Sequence, residues 1–332
     1  MAVTLKDVAA LAGVSRSAVS RCFTEGASVS AKTRAKIEKA ADQLGYRPNA
    51  LASSLTTGRT KLIGLVSNNF HNPVFLEVFD RFTRGLQDRG LRPLLVNLTD
   101  ETDPANSLRM LRQYSVDAVI VASSTLPVSF AERFHAAGVP VVHSFGRHSP
   151  GARVTVVGID NVEAGRIAAT ELIRRGYRRV AMLAGPKSAT STQDRLKGFL
   201  GALEARGDIS VTTSYARAYS FEAGWDEMRR LLDEGPPAEA YFCGDDVLSI
   251  GALAALKDAG MQVPGDVGIV GLNDMEMARW QNIDLTTIRQ PIDAVVETSI
   301  ELVCAMLEDP DFHPASRLLP CHLVERGTLR PA

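Results

Sequence analysis

Residues 4–23, TLKDVAALAGVSRSAVSRCF, constrain this chain more than any other stretch. Thr4 with Asp7 three positions on makes a near capping box, and Leu5, Val8, Ala9 and Ala12 recur at helical spacing. Gly13 ends that helix because it can take the left-handed conformation a tight turn demands. Ser15 caps a second helix, the small Ala9 lets the two cross closely, and Val14 with Val19 plugs the gap between them. Arg16, Ser17 and Ala18 then occupy the first turn of the second helix, with Arg21 one turn later. In a helix lodged in the DNA major groove, such N-terminal residues meet the base edges. An ordinary helical hairpin would show the same apolar spacing, so charge has to separate the two readings.

Residues 1–61 hold ten Lys or Arg against four acids, a net of +6, whereas the remainder holds 27 bases against 34 acids, a net of −7. A chain of net charge −1 is therefore a basic head on an acidic body, the asymmetry of a nucleic-acid module joined to something else. At 332 residues and 45% hydrophobic content, it can bury a large core across two or three domains. No apolar run approaches the roughly 20 residues of a membrane span, and there is no signal-peptide pattern, so a cytoplasmic location is expected. Cys22, Cys243, Cys304 and Cys321 lack any spacing for a disulfide framework or a zinc site.

After the two helices, SAKTRAKIEKAADQLGY predicts a third, capped by Ser30, with Ala35, Ile37, Ala40, Ala41 and Leu44 inward and Gly45 as its stop. Asn49 then caps a short run, ALASSLT, closed by Gly58. That run is too brief to hold as an isolated helix, so it suits a hinge that orders on DNA or against a partner copy.

VSRSAVSR, VSAKTR, LGYRPNALASSL and IGLV together resemble the LacI family of bacterial transcription regulators, and VGIDNVEAGRIAATELI, RVAMLAGP, DRLKGF, VGLND and DLTTIRQP extend the resemblance over nearly the whole chain. It implies a homodimer whose heads sit in successive major grooves of a pseudo-palindromic double-stranded operator, with paired hinge helices in the central minor groove. Leu55 would be the apolar wedge between base pairs, linker packing being its plainer use. The DNA-facing set is Thr4, Ser15, Arg16, Ser17, Ala18, Ser20, Arg21, Ser30, Thr33, Arg34, Tyr46, Asn49, Ala52 and Leu55.

From residue 61 the pattern changes to short β-rich runs alternating with amphipathic stretches, which predicts parallel sheets covered by helices. Expected strands are 62–67, 92–97, 117–121, 140–144 and 153–157, then 178–184, 209–213, 240–243, 267–271 and 286–288. Expected helices are 73–89, 104–114 and 127–137, then 161–175, 192–205, 221–233 and 245–259. The fold class is thus an all-α three-helix head and short hinge helix joined to an α/β body of two doubly wound parallel-sheet lobes. The resemblance implies the bilobed fold of periplasmic sugar-binding proteins, with the segment from about 291 crossing back to the first lobe. The expected domains are 1–47, the helix-turn-helix head; 48–60, hinge and linker; and 61–332, the effector-binding body. Its first lobe would take 61–158 and part of 291–322, its second 159–290 and the C-terminal end.

Ligands of open α/β sheets bind beyond the carboxyl ends of the strands, and two lobes set such edges face to face. This selects Phe70, Asn72, Phe75, Ser123 with Ser124, Phe145, Arg147 and Asp160 from the first lobe and its boundary, and Arg195, Phe221, Trp225, Asp245 with Asp246, and Asn273 with Asp274 from the second. Aromatic faces among Asp, Asn and Arg suit a sugar or related polyol. By resemblance, Arg195 and Asp245 are similar to the family's effector-contacting arginine and cleft-facing aspartate, while Asn273 in GLND stands where the family has an aspartate. Competing roles are an ion pair for Arg195, a helix cap for Asp245 and core packing for Phe221 and Trp225.

The motifs do not ask for catalysis. GxGxxG is absent after the first expected strand, GPKS lacks the glycine spacing of a phosphate loop, and the six histidines show neither HExxH nor metal spacing. No cofactor, metal or membrane partner is expected. A solute-binding protein would explain the body without the basic head, and an RNA-binding module would need an aromatic-studded sheet. The expectation is a ligand-responsive transcription regulator, a repressor released by a sugar-like effector, with nucleobase corepression as the alternative. The last residues, LVERGTLRPA, carry no apolar heptads, which predicts a dimer and no larger assembly.

Overall fold

Every expected strand and helix of the body is found, most displaced at their ends by a residue or two. The computed structural model describes residues 3–24, 26–47, 54, 58–98, 104–204, 206–309, 311–313 and 315–332. The chain divides into two units, Met1–Lys61 and Leu62–Ala332.

The head is three helices, α1 (Leu5–Ala12), α2 (Arg16–Cys22) and α3 (Ala31–Leu44). Gly13 closes α1 with φ 64°, in the left-handed region where other residues are strained. Val8, Val19 and Ile37, one from each helix, are fully buried at the centre. Ala35, expected inward, is exposed. The inward stripe of α3 runs through Ile37, Ala40 and Ala41, and Ala35 falls outside that arc.

The body begins with β1 (Leu62–Ser67), α4 (Val74–Asp88), β2 (Arg92–Asn97), α5 (Pro104–Gln113), β3 (Ala118–Ala122), α6 (Val128–Ala136), β4 (Val141–Ser144) and β5 (Thr155–Ile159). A second set follows: α7 (Asn161–Arg174), β6 (Arg179–Ala184), α8 (Thr190–Glu204), β7 (Ser210–Tyr215), α9 (Phe221–Glu234), β8 (Ala240–Cys243), α10 (Asp246–Asp258), β9 (Gly268–Asn273) and β10 (Thr287–Arg289). The chain then runs through α11 (Ile292–Glu308), β11 (Arg317–Leu319) and β12 (His322–Val324).

These make two six-stranded sheets of the same winding, β11-β5-β4-β3-β1-β2 and β12-β10-β9-β8-β6-β7. All pairings are parallel except β10 with β12. Central strands such as β3, AVIVA, are buried along their length, as helices on both faces require. The fifth strand lies two residues beyond the expected 153–157, because β11 supplies a ladder for Val157, Gly158 and Ile159. Sequence reading assigned no element to 291–332. There α11 buries Ile292, Val295, Val296, Ile300 and Val303 against the first sheet, and the Ser144 hydroxyl donates to the Ser299 oxygen at 2.7 Å.

The chain passes between the lobes three times, from β5 to α7, from β10 to α11 and from β11 to β12, and these strands are neighbours at one edge of each sheet. Among the described residues no helix is long and apolar enough to cross a membrane.

Candidate functional site

In the head, the surface expected to meet DNA is built by caps. The Asp7 carboxylate accepts from the Thr4 N–H at 2.8 Å and the Thr4 hydroxyl at 2.7 Å, and these bonds hold its carboxyl below the usual range. Ser15 accepts from the Ala18 N–H at 3.2 Å and starts α2. Arg16, Ser17, Ser20 and Arg21 follow on the exposed side, with Ala18 half-buried. The Ser15 and Ser17 hydroxyls are 2.9 Å apart, and Arg21 Nε reaches back to the Ser17 carbonyl at 3.4 Å. Ser30 accepts from the Thr33 N–H at 3.3 Å, and Tyr46 packs on Phe23 with ring centroids 5.9 Å apart.

Arg34 also braces the head: its Nη1 donates to the Cys22 carbonyl at 2.9 Å, which ties α3 to the end of α2. Asn49, Ala52 and Leu55 lie outside the described residues.

In the body, the carboxyl ends of both sheets converge on a cleft lined by Val74, Phe75, Val78, Ser124, Phe145, Arg195, Asp245, Asn273, Gln290 and Ile292. Asp245 is its polar centre. It follows β8 and caps α10, taking the Val247 N–H on Oδ1 at 3.0 Å. Its Oδ2 accepts from Asn72 Nδ2 at 2.8 Å and Asn273 Nδ2 at 2.9 Å. Burial pushes the Asp245 carboxyl up, against the pull of the Val247 N–H, Arg195 and the two amides. Arg195 is buried beside it, with Nε donating to Asn161 Oδ1 at 2.8 Å and Nη1 to the Gly244 carbonyl at 2.5 Å. Asn273 also accepts from Gln290 Nε2.

Arg195 can sit there because α7 and α8 cross at two glycines. A Cβ on Gly198 would stand 1.8 Å from the Val162 carbonyl oxygen, and one on Gly165 2.0 Å from that of Arg195.

Behind Asp245, Asp246 accepts from the Thr287 hydroxyl at 2.5 Å and the Met275 N–H at 3.0 Å. Full burial, with the Asp245 and Asp274 charges adding, raises its carboxyl to about 7. Burial acts the same way on Asp274, but bonds from Arg326 and Arg289 hold that carboxyl below its ordinary value.

Of the residues expected at the cleft, Phe75, Ser124, Phe145, Arg195, Asp245 and Asn273 line it and Asn72 reaches into it. The others are engaged elsewhere in this structure. Trp225 donates Nε1–H to Asp258 Oδ2 at 3.0 Å, at the far end of α10, and lies under Arg229. Phe221 opens α9 with 41% of its surface exposed. Asp160 spends its carboxylate capping α7, through the Val162 and Glu163 N–H groups at 2.9 and 3.1 Å. The Ser123 hydroxyl donates to Asn68 Oδ1 at 2.7 Å, leaving Ser124 to line the cleft. Phe70 stacks on Phe79, centroids 4.7 Å apart. Arg147 donates to Asp194, on the second lobe. Sequence reasoning missed Val74, Val78, Gln290 and Ile292 as lining and Asn161 as the partner of Arg195. Gln290 follows β10 directly, so the strand-end rule could have found it.

The cleft retains a volume of about 10 Å³, the room of roughly one water. Among the described residues no group of three or more His, Cys, Asp or Glu is placed to hold a metal. A buried carboxylate, a guanidinium and two amides against two phenyl rings can bind a hydroxyl-rich molecule.

The profile described as bacterial regulatory proteins, lacI family, matches residues 4–49, and one for a periplasmic binding protein-like domain matches residues 169–329. The HTH-type transcriptional regulator CelR of Thermobifida fusca is 32% identical over 331 residues, covering 97% of each chain. A solved CelR–cellobiose complex superposes with a TM-score of 0.73 at 30% identity, covering 98% of this chain and 100% of the other. The ribose operon repressor of Escherichia coli (strain K12) is 32% identical over 98% of this chain and 99% of its own. The lac repressor dimer bound to operator and the anti-inducer ONPF superposes with a TM-score of 0.89 at 26% identity, covering 99% and 100%.

Proposed function

We infer the function from one premise: the chain belongs to the lacI family of bacterial regulatory proteins. It is a DNA-binding transcriptional regulator and not an enzyme. Its division of labour follows as 1–47 for the DNA-binding head, 48–60 for hinge and linker, and 61–332 for the two-lobed sensor. The first lobe takes 61–158 and part of 291–322, the second 159–290 and the C-terminal end.

In this reading the protein is a repressor, acting in the cytoplasm as a homodimer on a pseudo-palindromic operator. Arg16, Ser17, Ala18 and Arg21 read bases, while the remaining basic groups of the head supply phosphate contacts. Asn49, Ala52 and Leu55 serve the hinge, Leu55 as the minor-groove wedge. A sugar or related polyol enters between the lobes, engages Asp245, Arg195 and Asn273, and releases the operator. The bound dimer of the lac repressor and the cellobiose of CelR support this by likeness.

The observation that carries the reading is Asp245. It is a buried carboxylate at the carboxyl end of β8, facing amides from both lobes, where a ligand hydroxyl could take an amide's place. A thermal-shift screen of the intact protein against sugars, sugar acids, sugar phosphates and nucleobases tests it, repeated on an Arg195→Ala, Asp245→Ala variant. A ligand at a hundred times its Kd stabilises the fold by about 2.7 kcal/mol. One class that shifts the native chain and not the variant, and that lowers operator affinity, supports release by a cleft ligand. A ligand that raises operator affinity makes the protein a corepressed regulator, and a class that shifts both chains alike places binding elsewhere.

A further inference from the structure

Arg147 leaves the end of β4 and reaches across the cleft. Its Nε donates to Asp194 Oδ2 at 2.7 Å, and its Nη2 donates to the Thr190 carbonyl at 2.8 Å and to Gln193 Oε1 at 3.1 Å. All three acceptors lie in the first two turns of α8, the helix that carries Arg195. Nearby, the Thr190 hydroxyl donates to the Ser124 carbonyl at 3.3 Å, and Asn72 donates across the lobes to Asp245. These bridges close the cleft around about 10 Å³.

We propose that Arg147 is a latch that fastens the two lobes together across the cleft, with the Asn72–Asp245 bond a second tie beside it. Arg147 is then a positioning residue. An exposed ion pair holds little, because water screens it and two flexible side chains must be fixed. Here the Arg147 and Asp194 side chains are only 30% and 21% exposed, and one planar fork meets three acceptors, so geometry and partial desolvation strengthen the pair. An effector must break these bridges to enter, and its apparent affinity is reduced by the fraction of molecules that stand open. Weakening the latch therefore tightens effector binding, whereas deleting a ligand contact loosens it.

This deepens the reading of the cleft as the effector site, and its test needs no effector. Nitroxide labels are attached through unnatural residues at the exposed positions 133 on α6 and 197 on α8, leaving the native cysteines in place. The full-length labelled chain is diluted into unlabelled chain, and the interlobe distance is read by double electron–electron resonance. The native chain should give one narrow, short distance. Arg147→Ala should broaden and lengthen it, and Arg147→Lys should recover part of the short population. Asp194→Asn, which leaves the Thr190 and Gln193 acceptors in place, should move it part of the way toward Arg147→Ala, with the double variant no broader than Arg147→Ala alone. Circular dichroism identifies any variant that fails to fold, and Asp194→Asn and Arg147→Lys report independently if Arg147→Ala does. A native distribution that is already broad, or variants that coincide with it, overturns the latch. A latch confirmed beside a silent ligand screen would reject only the effector reading, and the reverse result would reject only the latch.

Discussion

Asn72 and Asp245, 173 positions apart in the chain, meet at 2.8 Å, an amide of the first lobe donating to a buried carboxylate of the second. Removing the donor leaves that charge with one partner fewer. Asn72→Ala should lower the unfolding free energy by roughly 1.5–3 kcal/mol, the range for a hydrogen bond to a charged group. Asn72→Asp should cost more at pH 7, since it sets a second carboxylate against Asp245, and part of that excess should disappear once acid protonates one of the pair. Urea unfolding at pH 7 and pH 5 orders the three proteins.

The glycine crossing of α7 and α8 gives a prediction with its own control. Gly198→Ala drives a Cβ into the Val162 carbonyl oxygen, backbone against backbone, and should cost at least about 3 kcal/mol, the top of the usual overpacking range. Gly201, one turn later on the same helix, has open space where its Cβ would be. Gly201→Ala should stabilise by up to about 1 kcal/mol through helix propensity. Melting temperatures that move in the same direction would contradict this account of the crossing.

Asp246 should make stability depend on pH. Its folded-state value of about 7 lies above the ordinary 3.8, so between these values the native protein keeps a proton that the unfolded chain releases. The contribution is fully present below about pH 4 and is lost as pH rises through 7, by at most about 1.4 kcal/mol per unit. Asp246→Asn removes this dependence, while Asp274, whose lowered carboxyl acts in the opposite direction, and Asp245, whose raised one acts in the same direction, remain in both proteins. Chemical denaturation from pH 5 to 8 should show the advantage of the native chain over the variant shrinking with pH.

Two arginines of the head should separate by the form of their defects. Arg16→Ala should cost roughly 1–3 kcal/mol at one operator position if its fork reads a guanine, and little elsewhere. Arg34→Ala removes the bond to the Cys22 carbonyl, so it should destabilise the head by about 1–2 kcal/mol and weaken every operator sequence alike. Titrating both variants against single-base operator substitutions, alongside thermal melts, distinguishes reading from bracing.

Where a pattern is local, the sequence was legible. The caps at Ser15 and Ser30 and the stops at Gly13 and Gly45 were visible because each depends on one residue and its near neighbours. The alternation of strands and helices was visible for the same reason. The long apolar helix α11 has helical spacing too, and a missing cap does not hide it, since α4 and α6 also start at prolines that make no cap bond; it lies in the segment that the resemblance implies only as a crossing back to the first lobe. At the cleft, a strand end pointed to Asp245 and the resemblance to Arg195, which lies on α8, but side-chain direction is set by partners far away in the chain. Nothing near Trp225 in sequence shows that Asp258 takes its indole, and nothing near Arg147 shows that Asp194 takes its guanidinium.

The three crossings between the lobes, which leave and enter side by side at one edge of each sheet, shape what any occupant of the cleft can do. Ties gathered along one side keep that side together, so the largest displacements fall on the opposite rim. Molecules of quite different shape would thus act through the same kind of motion, a turning of one lobe about its tied edge.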